Sequence, residues 1–237
     1  MTERKELILT DCAKRENALL KNVYLWMSLG LVLTAVVAYG VSKNLTLLRF
    51  FSTNFFALMV LIIAQLSVVI FLSAKLQKMK ASTAVALFLS YSVLTGITLS
   101  SVFIIYTGAV IAQAFLTTAI MFLGASFYAF VTKRNVASWG SYLMMGLWGM
   151  LAALVINMFF PGSSTMTLII SVVGVVLFLG LTIYDTAKVK SINDTYGSEM
   201  NQDEFVKIGI IGALNLYLDF LNIFMYLLRI FGAQSRD

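Results

Sequence analysis

Two carboxylates in apolar surroundings are the residues of this chain whose type and position could do chemistry. Asp219 lies in the middle of the run NLYLDFLNIFMYLLR, and Asp185 ends the apolar part of LGLTIYDTAKVK. A carboxylate at the centre of a bilayer costs roughly 2.5–3.5 kcal/mol on insertion scales, so such residues face the interior of a helix bundle or a water-filled path. Both aspartates are therefore candidate functional residues.

The positions of the two aspartates allow them to form a pair. Asp185 and Asp219 are equally far in sequence from position 202, so a symmetric hairpin of two antiparallel helices would bring them to similar depth. Two carboxylates a few ångströms apart cannot both ionise cheaply, so the pair would bind a proton and titrate as one coupled unit. Calcium prefers oxygen ligands, but two carboxylates favour weak, transient passage over tight binding.

The helix that carries Asp219 has a polar stripe. Asn215 and Asn222 lie one turn to either side of Asp219 on the same face, and could hydrogen-bond its ionised form or line a hydrated route. The opposite face is apolar, and we expect it to face lipid: Leu214, Leu218, Leu221 and Met225. This spacing predicts supporting roles for the two asparagines.

Simpler roles for the two aspartates stay open at this point. Asp185 could be a residue at the cytoplasmic end of its helix, paired with Lys188 one turn further on. Asp219 could be a structural hydrogen-bonding group between helices.

The composition shows what must hold these residues in place. Of the 237 residues, 60% are hydrophobic and 12% are charged, whereas a soluble domain has about 25% charged residues. Apolar runs of the roughly 20 residues that cross a bilayer recur along the chain, which predicts an all-α polytopic membrane protein. The seven predicted spans are Val23–Val41, Phe55–Ala74, Thr83–Tyr106, Ala109–Val131, Ser141–Phe160, Thr167–Asp185 and Ile208–Ile230.

The charges between the spans predict their direction. Thirteen of the 17 Lys and Arg residues fall on one side of the membrane, and the positive-inside rule makes that side cytoplasmic. The predicted organisation is a cytoplasmic N-terminal segment (1–22), one transmembrane domain (23–232) and a short tail (233–237). Pro161 falls where the fifth span should end, as expected of a residue that helices tolerate poorly. With seven spans the C-terminus lies outside, unless the last run is re-entrant.

Several function classes lack the residues they need. The chain has no histidine, which removes Ser-His and Cys-His nucleophiles and histidine metal ligands. No phosphate-binding glycine loop is present, so a nucleotide-driven pump is not expected. An aspartyl intramembrane protease would need a Gly-x-Gly-Asp setting that Asp219 lacks. Because the basic residues set topology, nucleic acid is not an expected partner, and we expect no enzyme activity and no bound cofactor.

At these residues the sequence resembles the transmembrane Bax inhibitor motif family, in particular its bacterial branch. Most of the chain from about residue 20 onward carries the resemblance, and the two aspartate segments are its specific part. The matching segments are IYDTAKVK (183–190), LYLDFLNIFMYLLRIFG (216–232), TGITLSSVF (95–103) and SFYAFVTKRNVASWG (126–140).

The resemblance implies a fold in which a central helix is surrounded by the other six. It also implies a pH-sensitive calcium leak in the bacterial inner membrane, gated by a di-aspartyl latch that here would be Asp185 and Asp219. Lys75 or Lys78 is the nearest counterpart of a basic residue that pairs with the span-six aspartate in relatives. Some relatives carry an acidic residue in span two where this chain has Gln65, which makes strong calcium selectivity less secure.

The sequence therefore predicts a pH-gated cation leak, with calcium and protons as its ions and lipid as its surroundings. Two other functions use the same residues. A proton-coupled exchanger would use the aspartates as carriers, and a membrane-embedded regulator would bind a partner protein without transporting anything.

Overall fold

Seven long helices are apolar enough to cross a membrane, as the apolar runs predict. The computed structural model describes residues 2–132, 136–159, 164–196 and 201–234, and within these residues the spans are Ala18–Lys43, Phe55–Lys78, Ala81–Ile105, Gly108–Val131, Trp139–Asn157, Thr165–Ile192 and Gln202–Gln234. The prediction of an all-α polytopic membrane protein is confirmed. Pro161, expected at the end of the fifth span, lies outside the described residues, as do Lys133 and Arg134, two of the thirteen basic residues counted on the cytoplasmic side.

The described residues form helices joined by short connections. The α-helices are α1 (Thr2–Lys43), α2 (Leu45–Thr53), α3 (Phe55–Lys75), α4 (Ala81–Leu99), α5 (Val102–Ile105), α6 (Gly108–Val131), α7 (Trp139–Phe159), α8 (Ser164–Tyr196) and α9 (Gln202–Gln234). Two 3₁₀ turns, Leu76–Lys78 and Val136–Ser138, accompany them.

Two features of the helix boundaries differ from the sequence prediction. The short helix α2 was not predicted; Asn44 caps its N-terminus by accepting hydrogen bonds from the backbone N–H groups of Thr46 and Leu47. The sixth span was predicted to end at Asp185, but α8 continues to Tyr196. A helix does not stop where its apolar run stops, because the backbone hydrogen bonds continue through polar residues. Asp185 therefore lies inside a helix and not at its end.

The chain divides into two compact units, and the first comprises Met1–Ile105 with Ile192–Tyr217. In it α1 packs against α4 and α3 packs against α4. Gly96 permits the close approach of α1, because a Cβ there would lie 2.8 Å from the carbonyl oxygen of Thr34. Small residues at helix contacts of this kind are the usual means of close packing in membranes.

The second unit comprises Tyr106–Ser191 with Leu218–Asp237. Here α7 packs against α8 where Gly146 faces the side chain of Leu177. The rings of Phe115 and Phe122 in α6 meet Phe220 of α9, with centroids 5.7 and 5.5 Å apart. At Gly149, which shares a face with Gly146, no atom lies within 4 Å of the position that a Cβ would take. Of these two glycines, only Gly146 makes a close helix contact.

The last span is the most buried of the seven described spans. In its most apolar stretch 67% of the residues are buried, against at most 39% in the others. Leu214, predicted to face lipid, is fully buried at 0% exposure, so that prediction is wrong; Leu218, Leu221 and Met225 are half-buried. A helix that is buried on most of its sides packs against protein and not against lipid.

Candidate functional site

Asp219 is the one charged residue in the buried core of the described residues. Its side chain lies near the middle of α9 and is 4% exposed. The carboxylate oxygen Oδ2 has no hydrogen-bond partner among the described residues. Buried polar atoms without a partner are rare in folded proteins, and each points to a function, a water molecule or an ion.

Aromatic packing fixes the stretch of α9 around this carboxylate. Phe220, the next residue, meets Phe115 and Phe122 of α6 edge to face. Such aromatic pairs contribute about 0.5–1.5 kcal/mol each beyond their buried area. Apolar aromatic side chains therefore hold the part of α9 that carries this ionisable group.

Helix α8 is held beside this part of α9 by Tyr226. The Tyr226 ring lies 6.0 Å from the ring of Phe178, and it covers Gly174, where a Cβ would lie 2.6 Å from the ring. Phe178 and Tyr226 are equally far in sequence from position 202, as Asp185 and Asp219 are. The hairpin register that the sequence predicts is therefore observed two turns from the aspartates.

Asp185 lies in α8, two turns after Phe178 and at the position that corresponds to Asp219 in this hairpin register. Its side chain is half-buried, and the two carboxyl groups interact electrostatically. On the neighbouring positions Thr182 and Thr186 are buried, and the Thr182 hydroxyl donates to the carbonyl oxygen of Phe178. When two carboxyl groups lie close together away from solvent, the charge on one changes the proton affinity of the other.

The predicted supporting residues have different surroundings. The side-chain amide of Asn222 donates to the carbonyl oxygen of Leu218 at 2.8 Å, in its own helix. It therefore does not donate to Asp219 Oδ2, which has no partner. Asn215 is half-buried in the part of α9 that belongs to the first unit. Their role along a hydrated route stays a prediction.

The predicted basic partners are exposed. Lys75 ends α3 and Lys78 closes the following 3₁₀ turn. Both belong to the first unit and Asp185 to the second, so the pairing of either lysine with Asp185 stays a prediction. Lys188, the other partner considered, lies with its ammonium 6.0 Å from the centroid of the Tyr184 ring.

Comparison with known proteins identifies the family of this chain. The model of a family described as "Inhibitor of apoptosis-promoting Bax1" matches residues 16–236. The chain belongs to this Bax inhibitor family. An "Inner membrane protein YbhL" of Escherichia coli K12 is 44% identical over 212 residues, 90% of each chain. An uncharacterized protein of Borreliella burgdorferi is 41% identical over 240 residues, covering 100% of this chain and 99% of its own length.

This Bax inhibitor family member also has a buried hydroxyl cluster that the sequence did not single out. In the first unit the Thr34 hydroxyl donates to the carbonyl oxygen of Ser92 at 2.9 Å, and it lies 2.6 Å from the Tyr217 hydroxyl. The available signal was Thr34 itself, a hydroxyl residue within the first apolar run, since hydroxyls in spans commonly join helices. Gln65, which stands where some relatives carry an acidic residue, joins α3 to α4: its side-chain amide donates to the Thr98 hydroxyl at 3.0 Å.

Proposed function

We propose that this protein is a pH-gated cation leak of the inner membrane, with calcium as the favoured ion and Asp185 and Asp219 as its proton-sensing pair. The observation that carries the proposal is the buried Asp219 carboxylate, which has an unpartnered oxygen and Asp185 within electrostatic range. The inner membrane is the location named for the E. coli relative YbhL. The charge distribution supports a cytoplasmic N-terminus.

Proton binding at the pair can gate the protein only if two helix arrangements differ in proton affinity. In the observed arrangement Asp219 Oδ2 has neither a donor nor exposure to solvent. An ionised Asp219 requires a donor, water or a cation, and no described residue donates to its Oδ2. Deprotonation would therefore favour an arrangement in which α9 is hydrated on this side. Protonation would favour the packed arrangement.

Calcium suits this pair as a passing ion. Carboxylate oxygens are the ligands that calcium prefers, but a tight site needs six to eight oxygens. Among the described residues no three acidic or cysteine side chains come together. The pair can therefore neutralise a divalent cation in transit without retaining it, so calcium is a substrate and not a resident ligand.

Calcium flux into vesicles tests the proposal. The purified protein is reconstituted in lipid vesicles that contain a calcium-sensitive dye, and the pH is set equal on both sides and varied. The wild-type protein should admit calcium with a clear pH dependence. Asp219→Asn and Asp185→Asn should each remove that dependence, because neither amide can titrate.

Asp203→Asn is the matched control, since it removes a carboxylate from the same helix at an exposed position, where Asp203 pairs with Lys207. Its pH response should equal that of the wild type. An unchanged pH response in both pair variants would refute the proposal. Flux that requires a proton gradient would instead show an exchanger, and the absence of flux in any preparation would favour a regulator of another protein.

A further inference from the structure

A cavity of about 220 Å³ lies at the end of the second unit where α8 begins and α9 ends. Its polar lining consists of Tyr106, Thr167, Ser171 and Arg229, with Gly232 in the wall. None of the described residues that line it is acidic. The cavity therefore combines a cation with neutral hydroxyl groups, and this pattern suits an anion.

Arg229 is the charged group of this cavity. Its guanidinium carbon lies 5.6 Å from the centroid of the Tyr226 ring, and it forms no ion pair with a described residue. The side chain is half-buried. Arginine presents five N–H donors in a planar fork that matches the oxygens of a phosphate group, and an arginine in a partly enclosed site without an anion leaves most of them unused.

The beginning of α8 forms a neutral wall of the cavity. Thr167 is in the first turn of this 33-residue helix and lines the cavity. The buried Ser171 hydroxyl donates to the Thr167 carbonyl oxygen at 2.8 Å within the same helix. The charge of the cavity therefore comes from Arg229.

Tyr106 forms the opposite wall. A Cβ at Gly232 would overlap its ring, so glycine at this position is what lets the ring lie against α9. The Tyr106 hydroxyl makes no hydrogen bond with a described residue. A phenol hydroxyl without a protein partner is a further donor for an anion.

We propose that this cavity binds a phosphate-type anion through Arg229 and Tyr106. Its volume is below the roughly 300–1,000 Å³ of pockets that enclose drug-sized ligands, so it can accept a phosphate group but not a whole lipid or nucleotide. Arg229 lies one residue before the end of the predicted seventh span, at the depth where arginine reaches the membrane surface. The phosphate can thus come from a phospholipid headgroup or from solution.

Two binding arms separate these sources. In the first, the full-length protein in detergent is mixed with phosphatidylglycerol, or with diacylglycerol as the phosphate-free control, and bound lipid is counted by native mass spectrometry. In the second, inorganic phosphate is titrated while thermal unfolding is followed, with chloride at equal ionic strength as the control. Binding in the first arm alone assigns the site to headgroups, and binding in the second alone assigns it to soluble phosphate.

Three variants test the role of the guanidinium. Arg229→Gln should weaken binding at least about tenfold, because a hydrogen bond to a charged group is lost. Arg229→Lys should weaken it less, since the charge remains but the fork does not. Arg49→Gln removes an exposed arginine of α2, predicted on the same side of the membrane, and should bind as the wild type does.

Tyr106→Phe keeps the ring that packs on Gly232 and provides a readout if Arg229→Gln does not fold. It should weaken binding a few-fold, because one neutral hydrogen bond contributes about 1 kcal/mol. The proposal is overturned if neither probe binds the wild type, or if Arg49→Gln and the cavity variants reduce binding equally.

Discussion

Two polar residues of α9, one in each unit, have opposite surroundings. In the first unit the hydroxyl of Tyr217 lies within hydrogen-bonding distance of the Thr34 hydroxyl, which is itself bonded to the Ser92 carbonyl. In the second unit Asp219, two residues after Tyr217 on the same helix, has a buried oxygen with no partner among the described residues. Some neutral side chains also have a buried atom without a partner, namely Asn22, Thr95 and Ser126. What distinguishes Asp219 is that its unpartnered atom belongs to a group that can ionise.

This difference separates polar residues that join helices from one that can respond to its surroundings. A bonded hydroxyl in a membrane protein has one low-energy state and contributes modestly to stability. A buried carboxylate without a donor has two protonation states that require different surroundings. The comparison therefore gives Thr34 and Tyr217 a structural role, whereas the switching role of Asp219 belongs to the proposed function.

Asp219→Asn is expected to change the free energy of unfolding more than the other substitutions considered. At alkaline pH the variant should be more stable than the wild type by about 2 kcal/mol, because a buried group that can carry an unpaired charge is replaced by a neutral one of the same shape. Reversible unfolding in mixed micelles measures the difference. A loss of stability would instead assign Asp219 the structural hydrogen-bonding role that the sequence left open.

The sequence predicted the all-α fold and singled out Asp219, but it predicted less of the packing around that residue. A carboxylate within an apolar run has few explanations. Asp219 could therefore be found from the free-energy cost of placing its charge in a bilayer. The symmetry about position 202 also gave the register seen at Phe178 and Tyr226. Both inferences depend on one helix or one hairpin.

Features that depend on contacts between distant helices could not be predicted in this way. Thr34 and Tyr217 are 183 residues apart in sequence, and nothing in either local pattern selects the other. Leu214 was predicted to face lipid from the pattern of α9, but it is fully buried. Leucine suits both a lipid face and a helix contact in a membrane, so its burial depends on neighbours that the helix pattern does not encode.

A smaller change in stability is expected at Gly96, where α1 packs closely on α4 next to Thr34. Gly96→Ala should destabilise the protein by about 1–2 kcal/mol, because the added Cβ would lie 2.7 Å from Val37 Cβ and 2.8 Å from the Thr34 carbonyl oxygen. Thermal unfolding in detergent measures this loss. The change should act on the first unit and leave the pH dependence of calcium flux in place.

Gly124→Ala is the matched control for this substitution. Gly124 is in α6 of the second unit, and no other atom lies within 4 Å of the position that a Cβ would take there. Its stability should be unchanged or slightly raised, since alanine favours helix more than glycine does. Equal losses in the two variants would show that the space around Gly96 does not determine the packing of α1 on α4.

The smallest effect is expected for the hydroxyl contact itself. A double-mutant cycle of Thr34→Val and Tyr217→Phe should give a coupling of about 0.6 kcal/mol, the average for hydrogen bonds between membrane helices. Both substitutions keep the shape of the side chain, so the cycle isolates the contact between Thr34 Oγ1 and the Tyr217 hydroxyl, which are 2.6 Å apart. The Asp185→Asn and Asp219→Asn cycle should give a coupling of the opposite sign, because like charges repel. If the two coupling energies had the same sign, the carboxylates would share a proton in a stabilising hydrogen bond. The carboxylate pair and the hydroxyl pair would then differ only in the strength of their hydrogen bonds.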